Sequence, residues 1–84
     1  MLETKRIAPG VFRTFWEGHE TRYVILNGVM KSKQITNVYG YCWIDANVVD
    51  RKQWVGSLKD AKDKLSERIK HDILKGDPKW QTAA

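Results

Sequence analysis

Ser57-Leu58-Lys59-Asp60-Ala61-Lys62-Asp63-Lys64-Leu65-Ser66-Glu67-Arg68-Ile69-Lys70-His71-Asp72-Ile73-Leu74-Lys75-Gly76 reads as one helix with its own start and stop. Ser57 stands where a side chain accepts from the free N–H groups of the first turn. Asp60 brings a carboxylate to the positive end of the helix dipole. Leu58, Ala61, Leu65, Ile69 and Ile73 follow at spacings of 3, 4, 4 and 4, which gathers them on one face. Gly76 suits the left-handed residue just past a helix, and Pro78 is a stop. The spacing predicts a helix over 58–75 and a tail over 76–84. A helix with a single apolar stripe has to bury it on another layer.

That layer lies upstream. Residues 1–10 are polar and end in the turn pair Pro9-Gly10, which predicts a flexible arm. Val11–Trp16 alternates as a strand, Gly18-His19-Glu20 reads as a turn, and Thr21–Leu26 is rich in β-branched and aromatic residues. Asn27-Gly28 is the strongest short signal in the chain, because both central residues of a type I′ turn need positive φ. It predicts a two-residue hairpin leading into a strand over 30–35. Tyr39–Ile44 is the next strand. Val48-Val49 and Trp54-Val55 read as short strand pieces around a charged loop. The expected fold is α+β: a three- to four-stranded antiparallel sheet over 11–55, packed on one C-terminal amphipathic helix in a single domain over 1–84.

A hairpin turning at Asn27-Gly28 fixes a register. Leu26 then faces Val29, Val24 faces Lys31, and Arg22 faces Lys33. Arg22, Lys31 and Lys33 would form a basic patch, extended by Arg51 and Lys52. The other face, with Tyr23, Ile25 and Met30, suits the helix side. On the strand 39–44, Gly40, Cys42 and Ile44 suit the space beneath a helix, which puts Tyr39, Tyr41 and Trp43 on the open face. Aromatic rings beside cations are what stacking on unpaired bases requires. The plainer readings are that the cations keep a strand solvated and that the rings fill the core. Tyr39, Tyr41, Trp43, Trp54 and Trp80 also stand as candidate anchors for a protein partner.

Eighty-four residues leave little room for a roofed pocket as well as a core. Hydrophobic residues make up 42%, too many for a generally disordered chain. The lone Cys42 excludes an internal disulfide. His19 and His71 are far apart in the chain, which argues against a zinc site. No phosphate-binding glycine motif or nucleophile elbow is present. These readings point away from an enzyme, a cofactor or metal, and a small-molecule substrate. No apolar stretch resembles a signal peptide or approaches the roughly 18 residues of a membrane span, so a cytoplasmic location without a membrane partner is expected. From its initiator Met to Ala83-Ala84, the chain reads as a complete small protein.

Fifteen Lys+Arg against ten Asp+Glu leave a net charge of +5. Residues 51–79 hold nine of the cations and five of the anions, so the excess lies toward the end. On the helix the charges mix and pair at i,i+4, as on an ordinary solvated face. Two functions fit. One is a small binding protein acting by protein–protein contact, as a homodimer or as an inhibitor of a partner. The alternative is a basic DNA- or RNA-binding module using the sheet face and hairpin.

At the level of architecture, strands followed by a helix opening Gly56-Ser57-Leu58-Lys59-Asp60-Ala61-Lys62 resemble the arm-type DNA-binding domains of phage-type integrases. Those domains place a sheet in the major groove. The likeness runs over residues 11–75 and carries no residue roles with it. Small size and many aromatics also suit proteins of phages and mobile elements, many of which block a host protein.

Overall fold

The computed structural model describes residues 2–30, 36–46, 49 and 53–81. Four strands, β1 (Leu2–Ala8), β2 (Val11–Trp16), β3 (His19–Met30) and β4 (Thr36–Trp43), form one antiparallel sheet in the order β1-β2-β3-β4. Helix α1 (Leu58–Leu74) packs against it, followed by a 3₁₀ turn over Pro78–Trp80. The α+β architecture expected from the helix stripe is the one observed.

Helix α1 starts and ends as its sequence dictates. The Asp60 N–H donates to Ser57 Oγ at 3.1 Å. At the other end Gly76 takes φ 69°, its N–H donates to the Ile73 carbonyl, and the Asp77 N–H donates to the Asp72 carbonyl. This pair of bonds is the Schellman arrangement, which satisfies carbonyls a helix end leaves free. The apolar stripe ends one residue earlier than expected. Ala61, Leu65 and Ile69 are fully buried, but Asp72 is buried next and Ile73 is 43% exposed. Rotation of about 100° per residue explains it. Asp72 lies about 20° from the centre of the stripe set by Leu58 to Ile69, and Ile73 about 80°.

The expected flexible arm is an edge strand. Leu2 pairs with Trp16 and is buried at 3% exposure, and the ladder continues through Thr4↔Thr14 and Arg6↔Phe12. Pro9-Gly10 then turns the chain, with Gly10 at φ 72°, the left-handed value that glycine accepts freely.

The hairpin at Asn27-Gly28 does not form. Both residues continue β3, paired with Tyr39 and Val38. The two-residue turn with positive φ falls instead at Glu17 (49°) and Gly18 (83°), so His19 and Glu20 belong to a strand, not a turn. Gly28 serves a different purpose. With Gly40 it makes a flat place on the sheet where the Trp54 ring lies. A methyl group at Gly28 would stand 3.2 Å from that ring. One at Gly40 would stand 3.3 Å from it and overlap Val49. Val49 and Trp54 therefore lie on the sheet face opposite the helix, the face that also carries the buried pair Val24 and Cys42. The expected strand over 30–35 is met only at Met30, the last residue of β3; residues 31–35 lie outside the described residues.

The core lies on the helix side and joins Leu2, Trp16, Tyr23, Ile25, Ala61, Leu65, Ile69 and Trp80. Where the β2–β3 register shifts, between Arg13↔Val24 and Phe15↔Glu20, β3 carries extra residues. Thr14 and Thr21, both fully buried, satisfy the ladder there. Their hydroxyls bond to each other, Thr14 Oγ1 donates to the Tyr23 carbonyl at 2.8 Å, and Thr21 Oγ1 accepts from the Tyr23 N–H at 3.1 Å.

Candidate binding surfaces

Register decides which face each candidate aromatic takes. Residues directly opposite on neighbouring strands share a face. Tyr39, Tyr41 and Trp43 stand opposite Asn27, Ile25 and Tyr23, and so lie on the helix side. The open-face expectation for these rings is overturned, since Gly40 and Cys42 occupy the other face. Ile44 lies past the end of β4 and is 40% exposed. The Tyr23 and Trp43 rings stack at 4.5 Å and 18°, and Tyr41 meets Tyr23 edge-on at 5.6 Å. Tyr39 packs near Phe12 at 6.5 Å. Trp80 is folded back into the core at 6% exposure, and Trp54 lies on the two glycines.

Of the basic candidates, Arg22 is described. Its guanidinium lies 4.8 Å from the centre of the Trp43 ring and 3.8 Å from Asp45. The proposed neighbours do not follow from a hairpin. The place opposite Val24 that the Asn27-Gly28 turn would give Lys31 is taken by Cys42. Lys31, Lys33, Arg51 and Lys52 themselves lie outside the described residues.

A polar cluster unforeseen in the sequence joins sheet and helix. The Tyr23 hydroxyl donates to Asp72 Oδ2 at 3.0 Å, and Arg68 Nε lies 3.3 Å from Asp72 Oδ1. Burial pushes the Tyr23 phenol up to about 12; the Asp72 carboxylate adds to the shift and Arg68 opposes it. Burial also raises Tyr41. A phenol held that high keeps its proton at neutral pH and donates it to the bond with Asp72. The cluster is a strut. Its one sequence signal is the i,i+4 spacing of Arg68 and Asp72; the solvated face expected for that pair is corrected here, because Asp72 falls near the centre of the stripe and is buried. A cleft of about 200 Å³ remains beside it, lined by Tyr41, Trp43, Arg68 and Gln53.

The two sheet edges are treated differently. Beyond β4, Val55 and Tyr39 exchange backbone hydrogen bonds at 2.8 and 2.9 Å, and beyond the end of β4 Gln81 bridges to Thr21. Among the described residues nothing pairs with the outer side of β1. The free groups there can be assigned. The Asn27 N–H donates to the Gly10 carbonyl, so Gly10, Phe12 and Thr14 aim their backbone groups at β3. Val11, Arg13 and Phe15 therefore aim theirs at β1, where Arg13 meets Lys5 and Phe15 meets Glu3. Leu2, Thr4 and Arg6 are left with N–H and C=O groups pointing outward. Beside this edge a groove of about 770 Å³ runs between sheet and helix, with Leu2, Trp16 and Leu58 in its lining and Lys59, Lys62 and Lys70 from the helix.

No described helix is long and apolar enough to cross a membrane. Compared with known protein families, with curated proteins and with solved structures, the chain finds no match in any of the three.

Proposed function

We propose that this protein is a non-enzymatic binding protein of the cytoplasm that works by protein–protein contact, with the outer edge of β1 receiving a strand from its partner. The observation that carries the reading is the contrast between the edges. Val55 and Gln81 occupy positions on the β4 side, whereas among the described residues nothing pairs with the outward backbone groups of Leu2, Thr4 and Arg6 on the β1 side. An added strand gains its affinity from such main-chain bonds, and pockets beside the edge supply specificity. The groove lined by Leu2, Trp16 and Leu58 lies in that position. A protein of this size that occupies a partner's strand also fits the action of a phage or mobile-element protein that blocks a host factor.

The alternative is a small basic nucleic-acid-binding module. It draws on the net charge of +5 and on the exposed Lys59, Lys64 and Lys70 of α1, with Lys75 at its C-cap. It loses the stacking platform, because Tyr41 and Trp43 turn toward the helix.

Capture from lysate that also holds an untagged copy of this chain, by wild-type and by Thr4→Pro bait, separates the two. Proline at position 4 removes an outward N–H and leaves the bonds to β2 in place. A protein held through nuclease and roughly 200 mM salt, and lost with Thr4→Pro, is the expected result. Capture that nuclease or salt abolishes, or that Thr4→Pro leaves intact, overturns the edge reading.

A further inference from the structure

We infer that the strand received by β1 is β1 of a second copy, paired antiparallel about Thr4. The inference rests on the edge reading above and names its partner. Three observations carry it. The outward groups belong to Leu2, Thr4 and Arg6, so a two-fold axis at Thr4 makes Thr4–Thr4 and Leu2–Arg6 the hydrogen-bonded pairs. That register sets Glu3 of each copy opposite Lys5 of the other. Both side chains are exposed on the face away from the helix. They meet at the non-hydrogen-bonded positions, where Cβ atoms approach most closely. The competing registers are poorer. Centring the axis on Lys5 puts the two Lys5 ammonium groups against each other, and in-register parallel pairing puts Glu3 beside Glu3 and Lys5 beside Lys5. The β-bulge between Arg6 and Ala8 ends the regular part of the edge, which limits the paired stretch to residues 2–6. The product is a continuous eight-stranded sheet with both helices on one face.

Charge reversal tests this register. Glu3→Lys and Lys5→Glu each turn both cross-pairs from attractive to repulsive, and each is expected to weaken dimerisation about tenfold or more. Mixed in equal amounts, the two variants have complementary edges and are expected to form a heterodimer. Molar mass by light scattering across a concentration series reads the outcome, and circular dichroism of each variant checks that it stays folded. A wild-type dimer, weakened by each reversal and restored by mixing, supports the inference. A wild type that stays monomeric up to high concentration overturns self-pairing while leaving capture by Thr4→Pro to judge the edge reading on its own. A dimer indifferent to both reversals also overturns it, since it must use another face. A mixture no more associated than its components overturns the register.

Discussion

The Tyr23 hydroxyl reaches Asp72 Oδ2 at 3.0 Å and so ties the third strand to the last turn of the helix, 49 residues along the chain. Arg68 holds the other carboxylate oxygen. Asp72 is 5% exposed, so removing it strands a buried phenol and takes the partner from a guanidinium. Asp72→Ala is expected to cost about 2–3 kcal/mol in urea unfolding. Asp72→Leu combined with Tyr23→Phe should recover much of that loss, because no buried group is then left without a partner.

Alkaline stability follows from the same phenol. Its folded-state value of about 12 lies above the ordinary 10, so the neutral form is favoured in the folded protein. That stability is fully present below pH 10 and is lost as pH rises from 10 through 12. The loss approaches about 3 kcal/mol. Unfolding free energy measured from pH 8 to 12 should fall across that window. Tyr23→Phe should flatten the fall, leaving a remainder from Tyr41, whose phenol is also raised.

Gly40 and Gly28 are expected to resist substitution for reasons of space. Gly40→Ala drives a methyl group into Val49 and against Trp54, and should cost about 1–3 kcal/mol with a change in tryptophan fluorescence. Gly28→Ala, which meets the rim of the Trp54 ring at 3.2 Å and Val38 at an ordinary 3.8 Å, should cost less. If both glycines tolerate alanine without a thermal shift, Trp54 does not rest on them.

Both ends of the described chain belong to the core. Leu2→Ala should destabilise by about 2–3 kcal/mol, and Trp80→Ala by about 3 kcal/mol or more, since their side chains are 3% and 6% exposed. Leu74→Ala, at 87% exposure, should change stability by less than about 0.5 kcal/mol. Thermal unfolding of the three variants checks the ranking.

Local chemistry determined the helix, and the sequence was enough to place it. Ser57, Asp60, Gly76 and Pro78 act within a turn of where they stand, and an apolar period of 3.6 needs no partner to be read. The alternation in Val11–Trp16 and the aromatic, β-branched run from Thr21 to Leu26 marked strands for the same reason. Tertiary structure decided what depends on residues far apart. Asn27-Gly28 has the chemistry of a turn, but Gly28 is needed flat beneath Trp54, 26 residues later, and pairing with Val38 holds it extended. The polar run 2–8 becomes a strand because β2 offers a ladder and the core takes Leu2. Tyr41 and Trp43 turn toward the helix because β3, not a hairpin strand, sets their register. A one-residue shift in register reverses every side chain, so the face a strand shows to solvent is fixed by its partner and is not written in the strand itself.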